Sequence, residues 1–202
     1  MTLNPFYPIV PNAEWVARLA PAGIGLVQLR MKDQSPVQVH EGVAAALKIC
    51  NAHNITLVVN DHWQIAIDLG ATFVHLGQED LDSADIKAIR SHGLRIGIST
   101  HDDRELSRAL EYAPDYVALG PIWPTTLKVM PFAPQGLQRI TEWKRRIGNI
   151  PLVAIGGITL ERAPGCYAAG ADVVSVVSDV TGAADPVARA KAWLDLRATN
   201  QQ

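Results

Sequence analysis

Two acids frame the chemistry open to this chain. Asp61 and Asp80 each stand at the end of a short apolar run, Leu57-Val58-Val59 before Asn60-Asp61 and Phe73-Val74-His75-Leu76 before Gln78-Glu79-Asp80. Where strand and helix units repeat, all strand carboxyl ends open onto one face, so acids a whole helix apart in sequence converge there. Such a pair suits Mg2+, which takes one or two protein carboxylates and completes its octahedron with water and substrate phosphate. Glu79 is an alternative to Asp80 as ligand. The competing, purely structural reading has Asp61 capping the helix that starts at His62 and Asp80 ending a turn.

Cationic and hydroxyl groups fall at the neighbouring strand ends. In Gln28-Leu29-Arg30-Met31-Lys32, strand alternation sends Gln28, Arg30 and Lys32 to one side and Leu29 and Met31 to the other. A guanidinium fork beside a compact ammonium suits a diphosphate, although an ion pair with Asp33 would use the same residues. Ser99, in Gly97-Ile98-Ser99-Thr100-His101, adds a hydroxyl donor to the same anion; His101 fits a proton-transfer role and a helix-start role equally. His75 reads as a satisfied core residue. Farther on, Gly156-Gly157 and Val177-Ser178 end two more runs, positions at which barrel backbones cradle a phosphate. The alternative at Gly157 is a tight turn that needs positive φ. The tally is a diphosphate site and a monophosphate site, which is what a transferase joining two phosphorylated small molecules requires.

The elements that must position these groups alternate along the whole chain. Strands are expected at Tyr7 to Val10, Gly25 to Leu29, Leu57 to Asn60, Phe73 to Leu76, Arg95 to Ser99, Tyr116 to Gly120, Leu152 to Ile155 and Val173 to Val177. Helical spacing occupies Glu14 to Leu19, Val37 to Cys50, Trp63 to Leu69, Ala84 to Arg90, Glu105 to Tyr112, Leu137 to Arg146, Leu160 to Ala168 and Val187 to Leu196. Ser83 and Asp103 are expected N-caps, and Gly70, Gly93 and Gly170 expected helix stops. These units predict an α/β fold, a (β/α)8 TIM barrel forming a single domain over 1–202. An open doubly wound sheet ranks second, because no Gly-x-Gly-x-x-Gly follows the first strand. The segment Pro121 to Gln135, with Pro121, Pro124, Pro131 and Pro134 around Trp123, Thr125, Thr126 and Lys128, is too rigid and polar for a plain connector and reads as a lid.

Bulk properties exclude other classes. A length of 202 residues with 48% hydrophobic content supports a sizeable core, and a formal net charge of -2 gives no basic surface for nucleic acid. Cys50 and Cys166 fall in helical segments away from other ligand types and read as packing residues. Neither a secretory leader nor a membrane-length run is evident, so a cytoplasmic location and no membrane partner are expected.

Taken together, the motifs resemble the thiamine phosphate synthase family from Tyr7-Pro8-Ile9-Val10 to about Val180. They are Gln28 to Lys32, Asn60-Asp61, Val74-His75-Leu76-Gly77-Gln78-Glu79-Asp80, Gly97-Ile98-Ser99, Gly120-Pro121-Ile122-Trp123-Pro124-Thr125, Gln135-Gly136, Ala154-Ile155-Gly156-Gly157-Ile158 and Val177-Ser178. Each alone is weak, but their order and spacing are specific. The resemblance implies coupling of 4-amino-2-methyl-5-hydroxymethylpyrimidine diphosphate to hydroxyethylthiazole phosphate, with release of pyrophosphate. It implies Mg2+ on Asp61 and Asp80, and Arg30, Lys32 and Lys128 as the catalytic cations. The pyrimidine diphosphate would be bound by Gln28, Leu29, Arg30, Met31, Lys32, Asn60, Ser99 and Lys128, and the thiazole phosphate by Thr125, Thr126, Leu127, Gly157, Val177 and Ser178. The partners implied are these small molecules, with homo-oligomer formation left open.

Two departures from the family pattern stand out. The family's lid commonly reads Pro-Thr-x-Thr-Lys, whereas this chain reads Pro124-Thr125-Thr126-Leu127-Lys128, and Leu127 has no hydroxyl to donate. Asp179 follows Ser178 where the family commonly has a small residue, and a carboxylate there repels a phosphate unless turned away. Two alternatives remain at this level: a thiazole tautomerase, metal-independent and using a histidine such as His101, and a non-catalytic barrel that binds thiamine phosphates.

Overall fold

The computed structural model describes residues 3–125 and 133–199. Thr126, Leu127 and Lys128, three of the expected site residues, lie outside them. The strands are β1 (Phe6–Val10), β2 (Leu26–Leu29), β3 (Thr56–Asn60), β4 (Phe73–Leu76), β5 (Arg95–Thr100), β6 (Tyr116–Leu119), β7 (Leu152–Ile155) and β8 (Val173–Val176). All are rich in Val, Ile and Leu, as strands buried on both faces must be. Each pairs in parallel with the next, and the sheet closes where Phe6 of β1 lies in register with Val174 of β8.

The helices are α1 (Ala13–Leu19), α2 (Pro36–His53), α3 (Trp63–Asp68), α4 (Asp80–Ser83), α5 (Ile86–Ser91), α6 (Asp103–Glu111), α7 (Gly136–Ile147), α8 (Ala163–Ala168), α9 (Ser178–Thr181) and α10 (Pro186–Thr199). The expected barrel is therefore observed, but β4 and β8 are each followed by two helices, the first of each pair a single turn. Two cap assignments are corrected. Asp85 rather than Ser83 caps α5, accepting from the Ala88 N–H, while Ser83 closes the preceding short helix. Asp102 rather than Asp103 caps α6; it has extended φ and ψ of -143° and 175°, and Asp103 is already helical. Helix α8 starts at Ala163, later than expected, with Pro164 in its first turn. Gly70, Gly93 and Gly170 have positive φ after their helices, as expected of stops.

Alternation divides each strand between two cores. Outward residues such as Leu29, Val59, Leu76 and Ile98 join Trp143 and Trp193 in the layer between barrel and helices. The ring of Trp193, on α10, stacks on Phe6 with centroids 5.2 Å apart and covers the seam where the barrel closes. Inward residues Leu26, Val58, Phe73, Val153 and Val173, with Tyr7 and Tyr116, plug the barrel. A Cβ on Gly97 would lie 2.0 Å from the Tyr116 ring, so β5 must have glycine where β6 places its tyrosine. Toward the carboxyl ends the inner wall turns polar, with Gln28, Asn60, His75 and Ser175 all buried. Cys50 and Cys166 are buried thiols, and burial pushes them up to about 11 and about 12. No helix among the described residues is long and apolar enough to cross a membrane.

Candidate active site

A cavity of about 930 Å3 opens above the plug, walled by the segments that follow the strands. Gln28, Arg30, Lys32, Asn60, Asp61, Asp80, Ser99, Thr125, Gly157, Val177 and Ser178 all border it. Leu29 and Met31 do not share that position. The Leu29 side chain is buried in the outer layer, and Met31 lies against Gly42 of α2, where a Cβ would come within 2.6 Å of its sulfur.

The acids meet on one wall. Asp61 follows β3 with φ of 64°, a left-handed conformation that Asp tolerates better than most residues, and its N–H donates to the His75 carbonyl at 2.9 Å. Asp80 opens α4 and folds back so that its Oδ2 accepts from the Gly77 N–H at 2.8 Å. A Cβ on Gly77 would sit 2.9 Å from that oxygen, so glycine is what lets the carboxylate come in. The two carboxylates lie near enough that the charge on Asp61 bears on Asp80. Burial disfavours charge on both. Against that burial, the ion-paired Lys32 ammonium foremost, with its neighbours Asp80 and His75, holds Asp61 below the ordinary carboxylate range. Asp80 is pushed above that range by burial and by the charge on Asp61.

This donor set fits a divalent cation that brings most of its own ligands. Among the described residues no group of three or more His, Cys, Asp or Glu side chains converges. Two paired carboxylates leave the remaining positions to water and phosphate oxygens, which is the coordination Mg2+ favours.

Beneath this wall a polar chain crosses the barrel. The Gln28 amide donates to the Tyr7 hydroxyl at 2.9 Å, and that hydroxyl lies 3.0 Å from the Tyr116 hydroxyl. Nδ1 of His75 lies 2.7 Å from the Tyr116 hydroxyl, and Nε2 lies 2.7 Å from Ser99 Oγ. Burial lowers the His75 pKa to about 4, so the ring is neutral and one nitrogen must accept. Running the donors outward from Gln28 satisfies each group in turn: Tyr7 donates to Tyr116, Tyr116 to Nδ1, and Nε2–H to Ser99. The Ser99 hydroxyl proton is then free to point into the cavity. His75 is thus both a satisfied buried residue and part of the cavity wall. The sequence contained the signal, since His75 shares its strand face with Phe73 and Gly77.

On the opposite wall Gly157 has φ of 63°, and a Cβ there would lie 2.5 Å from the Pro124 carbonyl oxygen. The base of the expected lid rests on this glycine pair, with Ile122 N–H donating to Ile155 O at 2.9 Å and Trp123 N–H to Gly156 O at 3.0 Å. The Arg162 guanidinium donates to the Gly157 carbonyl at 2.6 Å and lies 5.2 Å from the Trp123 ring centre. The two ends of that segment are tied together at its neck by Gln135 N–H to Pro121 O at 2.8 Å and Gly136 N–H to Ile122 O at 3.1 Å. His101, also on the cavity wall, has Nδ1 2.7 Å from Glu105 Oε2 and is joined to the neck by Gln135, whose amide donates to its carbonyl at 2.8 Å. Asp179 turns away from the cavity, its side chain only 7% exposed and paired with Arg189.

Residues 7–180 match the family model described as thiamine monophosphate synthase. The chain belongs to that family. A thiamine-phosphate synthase of Rhizobium etli is 55% identical over 194 residues, covering 96% of this chain and 95% of that protein. One from Salmonella typhimurium is 48% identical over 179 residues, covering 89% of this chain and 85% of its own. Among solved structures, a thiamine phosphate pyrophosphorylase from Pyrococcus furiosus superposes with a TM-score of 0.83 at 25% identity, covering 96% of this chain and 95% of that one. A KDPGal structure, at 16% identity and a TM-score of 0.76, shares the fold alone. Family members therefore span nearly the full length of this barrel.

Proposed function

We propose that the protein is a thiamine-phosphate synthase, a transferase working in the cytoplasm that joins 4-amino-2-methyl-5-hydroxymethylpyrimidine diphosphate to 4-methyl-5-(2-hydroxyethyl)thiazole phosphate. The observation that carries this reading is one cavity with two unlike anion walls. Arg30, Lys32 and the Asp61–Asp80 pair form one, and Gly157, Val177 and Ser178 form the other. Membership of the thiamine monophosphate synthase family supports the same reaction.

In this reading Arg30 and Lys32 hold the diphosphate of the pyrimidine substrate, with Asn60, Ser99 and Gln28 facing the ring. Asp61 and Asp80 would hold Mg2+, and Lys32 helps by keeping Asp61 ionised, as a ligand must be. When bound there, Mg2+ supplies charge neutralisation to the diphosphate oxygens. The bond between the pyrimidine methylene carbon and oxygen breaks with its electron pair leaving on pyrophosphate. The thiazole nitrogen then gives its lone pair to the same carbon, leaving a thiazolium. No protein nucleophile and no proton abstraction are needed, so the side chains work by position and by charge set in advance. Arg30 and Lys32 stabilise the departing anion, and Gly157, Val177 and Ser178 hold the second substrate by its phosphate. Lys128, with Thr125, Thr126 and Leu127, is assigned to the lid side by the resemblance.

Incubating the pure protein with both substrates and Mg2+, then measuring pyrophosphate and thiamine phosphate, tests the reading. Equal amounts of the two products, abolished by a chelator and restored by added Mg2+, are expected. Absence of pyrophosphate release would reject it.

A further inference from the structure

Asp179 follows Ser178 directly, so a carboxylate lies behind the wall assigned to the phosphate monoester. Its surroundings are specific. Oδ2 accepts from Arg189 Nε at 3.0 Å and from Trp193 Nε1 at 2.7 Å, while Oδ1 accepts from Arg189 Nη2 at 2.8 Å. Arg189 Nη2 also reaches Glu161 Oε1 at 3.1 Å, on the turn that leaves the Gly157 loop. One guanidinium on α10 thereby faces two acids, one on each segment that supplies the monophosphate wall. A two-pronged arginine clamp fixes orientation as well as charge. The Glu161 carboxyl is held down to about 2, by its Thr159 neighbour first and then by its backbone and Arg189.

We propose that Arg189 is a positioning residue for the phosphate-monoester subsite: it cancels the Asp179 charge beside Ser178 and ties that loop to the Gly157 loop through Glu161. The inference rests on the assignment of Gly157, Val177 and Ser178 to the thiazole phosphate. Arg189 itself borders no part of the cavity, so its effect on the ligand passes through Asp179 and the loops. With Arg189 removed, an uncompensated carboxylate in a low-dielectric setting repels the incoming dianion.

Calorimetric titration of thiazole phosphate, and separately of inorganic phosphate, into wild type, Arg189→Met, Asp179→Asn and the Asp179→Asn/Arg189→Met double variant tests this. Arg189→Met is expected to weaken both anions by about tenfold, and the double variant to recover to within about threefold of wild type. Pyrimidine diphosphate affinity stays unchanged throughout. Wild-type affinity in Arg189→Met, or a double variant as weak as the single one, overturns the proposal. The second result would mean that Arg189 acts on the fold and not on the charge. Should Arg189→Met fail to fold, Arg189→Lys replaces it, with an intermediate loss that Asp179→Asn reverses. Wild type that takes up inorganic phosphate but not the thiazole ester rejects the substrate assignment, and the Arg189 comparison is then decided on inorganic phosphate alone.

Discussion

Nε2 of His75 lies 2.7 Å from Oγ of Ser99, joining β4 to β5 across the floor of the cavity. The histidine is buried, and burial first of all brings its pKa from 6.5 down to about 4. An unfolded histidine takes its proton near 6.5, so between those two values the unfolded state holds more protons and stability falls as the solution is acidified. The shift corresponds to on the order of 3 kcal/mol lost between pH 6.5 and 4. Urea midpoints at pH 7, 5.5 and 4 measure it, and His75→Gln should flatten that part of the curve. Asp61 adds to the loss at lower pH because its carboxyl is held down in the fold, while the raised Asp80 acts in the opposite sense.

Asp61→Asn separates charge from conformation, because Asn also tolerates the left-handed backbone that Asp61 adopts at φ 64°. Pyrophosphate release is expected to fall about 10²- to 10³-fold, with the thermal midpoint within a few degrees of wild type. Full turnover in this variant would take Asp61 out of the site.

Gly97→Ala tests the floor. The added methyl would meet the Tyr116 ring at 2.0 Å, deep in a packed barrel, and is expected to cost about 1–3 kcal/mol in a denaturant titration. Tyr116→Phe keeps the shape but strands Nδ1 of His75, with an expected cost of about 1–3 kcal/mol. Equal stability in both variants would show that neither fit nor hydrogen bond matters there.

Arg162→Ala removes both the bond to the Gly157 carbonyl and the guanidinium over Trp123. Because this pair is exposed, the effect is expected to be small, about 1 kcal/mol or a several-fold rise in the KM for thiazole phosphate. The KM for the pyrimidine diphosphate should not move. Equal rises in both would point to a general loosening of the contact between the Trp123 segment and the Gly156–Gly157 turn.

The barrel was legible because its strands are apolar runs of period two set between helical stretches, with glycine stops at Gly70, Gly93 and Gly170. The short helices were not, since Asp80–Ser83 and Ser178–Thr181 are single turns with too few residues to show a period. Misplaced caps have a related cause: Asp102 and Asp103 are the same residue type, and only backbone conformation separates cap from first turn. At the site, strand alternation already places Arg30 and Lys32 with Gln28 and turns Leu29 and Met31 away. The chain from Gln28 through Tyr7, Tyr116 and His75 to Ser99 draws on β1, β2, β4, β5 and β6, and no local pattern in a sequence announces a contact of that kind. Likewise, Asp179 reads as a charge problem until its partner Arg189 on α10 is seen.

The two rungs between Pro121 and Gln135 and between Ile122 and Gly136 make the proline-rich excursion a stem-tied cassette. Sequence changes inside it are insulated from the registry of the staves, because both of its roots are clamped before the chain departs and after it returns. Sequence between the two rungs can therefore be rewritten without disturbing β6 and β7, the staves on either side of it.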